Sequence, residues 1–214
     1  TLSNVGLEQF YGIEIDEAAV HIARVAMYIT DHQLNLEAAN KFGKTRATVP
    51  LVTTPHIHYS NALKIDWNDV VKAEECSYVF GNPPFIGSKI MSQFQRNQIV
   101  REFDNSKGCG VLDYVSGWYL KAAKYIQHTT IKAAFVSTNS IVQGEQTSIL
   151  WGQMINKYGI KIHFAHRTFK WSNEAKGNAA VHCVIVGFGV DNPNNKTIYE
   201  YEDIQGLPLA VPAK

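Results

Sequence analysis

Short apolar runs and stretches of helical period take turns along this chain, and that alternation limits its possible folds more than any other feature. Residues 9–15 (QFYGIEI) read as a buried strand ending in an acid. Asp16 then suits the N-cap of a helix whose apolar stripe runs through Val20, Ala23, Ala26 and Ile29. Residues 40–55 are polar, basic and proline-containing and read as a loop. HIHYSNAL (56–63) reads as a second strand with its exit turn, and CSYVFG (76–81) as a third. Helices are predicted over about 88–103 and over the amphipathic stretch 111–127, with the glycine-rich NSKGCG between them. KAAFVSTNS (132–140) is a further strand, and QTSILWGQMINKYG (146–159) a helix closed by Gly159. Three extended runs follow, KIHFAHRTF, AAVHCVIVGFG and KTIYEYED. Strand–helix alternation followed by consecutive strands predicts an α/β fold, a doubly wound and mostly parallel sheet with an antiparallel late strand.

In such sheets ligands gather outside the carboxyl ends of the strands, so those ends supply the candidate residues. Glu14 ends the first strand, where an acid can accept hydrogen bonds from both ribose hydroxyls; Ile15 beside it can pack on an adenine face. Glu14 and Asp16 equally suit the N-terminus of the next helix, where negative charge is favoured. Asn61 follows the second strand and can read an adenine edge, although asparagine is common in turns; Asp66 is a weaker candidate for the same task.

The third strand leads into Asn82-Pro83-Pro84-Phe85. Each proline removes a backbone donor and fixes φ, and Pro83 also holds Asn82 extended. The corner is therefore rich in acceptors. The Asn82 side-chain oxygen and the Pro83 carbonyl, held rigidly, suit the two hydrogens of a planar amino group, and Phe85 can stack on the ring that carries it. A plain asparagine–proline turn is the alternative.

The ordered set YGIEID, NAL, GNPPF, LDYVSGW, FVSTNS and NAAVHCVIVGF resembles motifs II to VIII of the amino-methyltransferases that act on DNA adenine. YGIEIDEAAVHIARVAM, NPPFIGSK and YEYEDIQG are similar to the MmeI-like restriction–modification methyltransferases, and the resemblance spans about residues 9–206. It implies a Rossmann-like class I methyltransferase sheet that lacks here its first, glycine-loop strand. It also implies S-adenosylmethionine as cofactor, with Glu14 on the ribose, Ile15 on the adenine face and Asn61 or Asp66 near the adenine edge. Asn82, Pro83, Pro84 and Phe85 would hold a flipped-out target adenine, and Trp171, or alternatively Phe169, would be a second stacking aromatic. Double-stranded DNA is the implied partner. Without the glycine loop, residues 1–206 are expected to form a partial catalytic domain that binds the cofactor weakly and is inactive alone. Residues 207–214 are expected to form a linker toward a target-recognition domain. The strand edges left open by the missing strand invite self-association.

Composition sets outer bounds. A net charge of +1 builds no global basic field, so phosphate contacts would fall to local clusters such as Lys89, Arg96 and Arg101, or Arg167, Lys170 and Lys176. Cys76, Cys109 and Cys183 are scattered with no CxxC pair, which fits a reducing cytosol with no metal site. No apolar run approaches the ~18 residues that span a bilayer, so no membrane span is expected. The resemblance implies a bacterial cytoplasm, near the nucleoid. Protein-glutamine and RNA-guanine methyltransferases share an Asn-Pro-Pro-aromatic corner, so those acceptors stay open, as does a noncatalytic DNA-binding or assembly module.

Overall fold

A computed structural model describes residues 5–43, 53–171, 181–204 and 206–213. The chain divides into two compact units, Thr1–Lys72 and Ala73–Lys214.

In the first unit, β1 (Tyr11–Glu14) pairs in parallel with β2 (His56–Tyr59), in a register running from Tyr11↔His56 to Glu14↔Tyr59. Between them in sequence lies α1 (Glu17–Phe42). Asp16 caps it as expected, its carboxylate accepting from Ala19 N at 3.1 Å, and Gly43 ends it in the left-handed region at φ 66°. The helix thus runs further than its stripe suggested, into the expected loop at 40–55; residues 44–52 lie outside the described part. Arg24 reaches from α1 to donate to the Ile57 carbonyl at 2.9 Å, pinning helix to strand. Leu7, Val20, Leu63 and Trp67 are buried in this unit. By contrast Ile22, Val25 and Ile29 of α1 are more than half exposed.

The second unit is built on one sheet of order β3-β4-β6-β5-β7-β8. Its strands are β3 (Tyr78–Gly81), β4 (Lys132–Thr138), β5 (Lys161–Trp171), β6 (Val181–Gly189), β7 (Thr197–Glu200) and β8 (Leu209–Pro212). The pairs β3–β4 and β5–β7 are parallel, and β6 runs antiparallel to both β4 and β5. Four of these six strands therefore share one direction, and β6 and β8 reverse it. The mixed α/β fold and mostly parallel sheet agree with the sequence reading. Of the two reversed strands, both late in the chain as expected, β6 lies inside the sheet between β4 and β5, and β8 lies at its edge. Residues 207–214, read as an extended linker, contribute β8, which pairs with β7.

Helices α2 (Gln93–Glu102), α3 (Ser116–Tyr125) and α4 (Gly144–Gly152) complete this unit. Both α2 and α3 are shorter than their hydrophobic patterns suggested. A capping box made by Ser92 and Gln95 starts α2 several residues late, after a non-helical stretch that begins at Asn82. The core centres on Tyr119, whose ring meets Phe135 at 5.3 Å, Phe188 at 5.6 Å and Trp151 at 5.8 Å between centroids. Its hydroxyl donates to the Phe135 carbonyl at 3.1 Å and lies 2.6 Å from Ser137 Oγ. Burial pushes the Tyr119 phenol well above its ordinary pKa.

Candidate active site at the strand ends

In the first unit, Glu14 and Asn61 come to the same carboxyl end of the parallel β1–β2 pair. Ser60 N donates to the Glu14 carbonyl at 2.8 Å, which continues the ladder one step beyond Tyr59. The Glu14 side chain folds back on its own turn, and Oε1 accepts from Ile15 N at 2.7 Å and Asp16 N at 3.0 Å. Glu14 is half-buried, and Ile15 beside it is 63% exposed, an apolar side chain with its surface open. Asn61 Oδ1 accepts from Leu63 N at 2.9 Å, the local turn bond that asparagine commonly makes. Asp66 is exposed and caps a short 3-10 helix at Trp67–Asp69, accepting from Asn68 N at 2.9 Å. Its visible work is that of a cap.

In the second unit, β3 ends at Gly81, paired with Phe135 of β4, and the next residue is Asn82. Asn82 is exposed, the Pro83 ring is buried, Pro84 is exposed and Phe85 is half-buried. Burial of the Pro83 ring anchors the corner while the asparagine stays accessible. Among the described residues nothing donates to the Asn82 side chain or to the Pro83 carbonyl. Two acceptors at a strand end, with φ fixed at two successive positions, are thus left available in a rigid backbone. The Pro84 carbonyl is occupied, accepting from Ile86 N at 3.1 Å.

Beyond the prolines the loop is held firmly. Tyr114 N donates to the Ile86 carbonyl at 2.9 Å, and Ser88 N donates to Asp113 Oδ1 at 2.8 Å. Arg96 donates to the Ser88 carbonyl at 2.8 Å and to the Gly110 carbonyl at 3.3 Å. Arg96, a candidate for a phosphate contact, uses one N–H of each terminal nitrogen on these two carbonyls, which ties its guanidinium to the loop. Arg167, another such candidate, is exposed and pairs with Glu200 at 3.2 Å.

Trp171 is the last residue of β5, opposite Val181 of β6, and its side chain lies outside the described part, as does Lys176. Phe169, the alternative stacking residue, packs at 5.4 Å on Tyr201 and meets His166 edge-on at 6.4 Å, so its ring belongs to an aromatic cluster between β5 and the segment after β7. Sequence reasoning missed Asp113, Ser140 and Gln146. Asp113 and Ser140 lie within the quoted stretches LDYVSGW and FVSTNS, but nothing in their neighbours shows that the two meet. No group of three metal-ligating side chains gathers among the described residues, and none of their helices is long and apolar enough to cross a membrane.

The first unit thus offers a parallel strand pair that ends in an acid, and the second a mixed sheet in which the parallel strand β3 ends in an amide–proline–proline corner, strand-end placements that suit ligand binding in α/β domains. Over residues 1–200 the chain matches the family described as MmeI, DNA-methyltransferase domain, and it belongs to that family. It is 46% identical over 200 residues to DNA methyltransferase A of Bacillus subtilis (strain 168), an overlap covering 92% of this chain and 23% of that protein. The type IIL restriction–modification enzyme MmeI, solved in complex with DNA, superposes with a TM-score of 0.93 at 52% identity, covering 99% of this chain and 28% of that one. The type IIG restriction endonuclease BpuSI shares the fold at 10% identity, with a TM-score of 0.64 over 94% of this chain and 22% of its own. The chain spans about a quarter of the length of these relatives.

Proposed function

We propose that this chain is the amino-group-holding part of a DNA adenine methyltransferase in a restriction–modification system, with the Rossmann-like sheet of the class I enzymes. The observation that carries this reading is the corner after β3, where the Asn82 side chain and the Pro83 carbonyl have no partner among the described residues. In a member of a DNA-methyltransferase family, two rigid acceptors beside an aromatic ring match an exocyclic amine on a planar base.

The chemistry needs the base outside the duplex, because a paired amine is both hydrogen-bonded and buried in the stack. Adenine flipped onto the corner would donate one amino hydrogen to Asn82 Oδ1 and the other to the Pro83 carbonyl. Both bonds raise electron density on the nitrogen and orient its lone pair. Phe85 would cover the ring face, with Trp171 as a second stacking surface. S-adenosylmethionine supplies an electrophilic methyl group on a sulfonium centre. The residues of the first unit fit that group, since Glu14 carries a second carboxylate oxygen beyond its own turn bonds, and the exposed Ile15 side chain offers an apolar face. Asn61, and more weakly Asp66, would serve the adenine edge. Positioning provides most of the acceleration in such an in-line transfer.

The test is Asn82→Ala in the full-length enzyme, with methylation followed by tritium transfer to adenine-containing duplexes. Loss of one preorganised polar contact is expected to slow the reaction about 10²–10³-fold, with DNA binding retained. Near-normal methylation refutes the assignment. Label recovered in cytosine would overturn the choice of base.

A further inference from the structure

Three stretches of the second unit meet at a single carboxylate. Asp113, 8% exposed, lies just before α3 and receives hydrogen bonds from the other two. Its Oδ1 accepts from Ser88 N at 2.8 Å, on the loop that leaves the Asn82 corner. Its Oδ2 accepts from Ser140 Oγ at 2.6 Å, just past the end of β4. Ser140 Oγ is in turn 2.7 Å from Thr138 Oγ1, the last residue of β4. The backbone around Asp113 is fixed as well, because Asp113 N donates to Gln146 Oε1 of α4 at 2.9 Å and Tyr114 N donates to the Ile86 carbonyl at 2.9 Å. The loop runs close against the carboxylate, since a Cβ added at Gly87 would lie 3.8 Å from Asp113 Oδ1.

The corner is therefore clamped at both ends. On the strand side, Gly81 is in register with Phe135 of β4; on the far side, Ser88 is tied to Asp113, and through Ser140 to the residues that follow the same strand. A carboxylate suits this junction because two oxygens can accept from donors arriving from two directions, with no proton of its own to place. A buried carboxylate with hydrogen-bonded partners on both oxygens also resists displacement, since removing either partner leaves it under-satisfied in a site water does not reach.

We propose that Asp113 is a positioning residue for methyl transfer. It holds the Ser88 end of the loop against the end of β4, so that the Asn82 and Pro83 acceptors keep the separation an amino group requires. Ser140 is the second half of the same clamp. This rests on the proposed role of the Asn82 corner, and it adds a residue that touches neither base nor cofactor.

The experiment is single-turnover methylation by the full-length enzyme carrying Asp113→Ala, Asp113→Asn, Ser140→Ala, Asn82→Ala, and Asn82→Ala with Asp113→Ala, each with its DNA Kd. Misplacement of the acceptors by about 1 Å predicts a loss of roughly 10²-fold for Asp113→Ala, with the DNA Kd within twofold of wild type. Asp113→Asn keeps an acceptor for Ser88 N, and Ser140→Ala keeps that same bond. Both are expected to lose about tenfold, well short of Asp113→Ala, because each weakens or removes the charge-assisted Ser140 bond while the tie to Ser88 remains. The double variant should lose far less than the product of the two single losses, because with the Asn82 amide gone only the Pro83 carbonyl remains and there is no pair of acceptors whose separation must be kept. Hydrogen exchange should show Ser88 losing protection in Asp113→Ala while α3 and β4 keep theirs. The inference is overturned if Asp113→Ala methylates within threefold of wild type, or if the losses of the two single variants multiply in the double. It is also overturned if Asp113→Asn and Ser140→Ala are as slow as Asp113→Ala, the pattern of a general packing defect. Should Asp113→Ala fail to fold, the Asn and Ser140 variants with the Ser88 exchange rate decide alone. If Asn82→Ala is fully active, the reading of the corner itself has failed, a result separable from the failure of the clamp.

Discussion

Gly187 of β6 lies opposite Phe164 of β5, and a methyl group placed there would collide with that ring. Its Cβ would stand 2.1 Å from one edge carbon of Phe164 and 2.5 Å from two others. Ordinary carbon contact begins near ~3.5 Å, so the ring must retreat by roughly 1.4 Å. Phe164 is half-buried and can move, but it is held edge-on to His166 at 6.1 Å and to Tyr199 at 6.3 Å. Forcing such a shift costs about 1–3 kcal/mol, while replacing a strand glycine by alanine returns about 0.5–1 kcal/mol of backbone entropy. At the middle of these ranges Gly187→Ala should destabilise the protein by about 1 kcal/mol, lowering its melting temperature by roughly 2–4 °C. Guanidinium unfolding followed by tryptophan fluorescence measures this, because Trp151 packs in the same unit against Tyr119. The decisive control is Phe164→Ala. In that background the clash is gone, and Gly187→Ala should become neutral or stabilising. If Gly187→Ala costs the same in both backgrounds, or costs less than ~0.5 kcal/mol alone, the steric argument is wrong.

Tyr119→Phe leaves the ring cluster intact but removes a hydroxyl bonded to Phe135 O and Ser137 Oγ in a fully buried site. A loss of about 1–3 kcal/mol is expected in denaturant unfolding, and a change under ~0.5 kcal/mol would show those bonds to be worthless. His166 accepts or shares a proton with Tyr201 Oη at 2.8 Å, and burial holds its pKa below 6.5. The unfolded chain then takes up a proton before the folded one, so stability present above pH 6.5 is lost as pH falls below it. The melting temperature should drop less between pH 7.5 and 5.5 in His166→Gln than in wild type; equal drops refute the burial argument.

What was readable in the sequence followed how local the chemistry was. Asp16 is a good cap because of its own side chain and the three residues after it, and it caps. The acceptor corner is visible because proline acts on its immediate neighbours, and the loop at 82–85 keeps its asparagine exposed as that reading requires. Pairing order is not local. The apolar run of β6 carries the same residues whether it ends the sheet or divides it, and only contact with β4 and β5 together places it between them. Leu209–Pro212 contains a proline and no alternation, which disguised an edge strand as a tether. Asp113 is the sharpest case. Its sequence neighbours make it look like an ordinary acid before a helix, while its partners are 25, 27 and 33 residues away. The Glu14 turn, by contrast, is as local as the Asp16 cap, since its fold-back onto Ile15 and Asp16 is bonding that an acid just before a helix can make with its own neighbours.

The central place of β6 also bears on how this unit is made. Its neighbours β4 and β5 are both synthesised before it, yet neither pairs with the other. Emerging from the ribosome, they must wait with facing edges open until the chain has been extended through Gly189, the residue paired with Lys161. Phe188, which closes the ring cluster around Tyr119, arrives in the same segment, so the gap between β4 and β5 and the core beneath it are closed by one insertion. Nascent chains stalled before that point would expose one edge of β4, both edges of β5 and an unfilled aromatic core, the species on which a chaperone, or a second stalled chain, would act first.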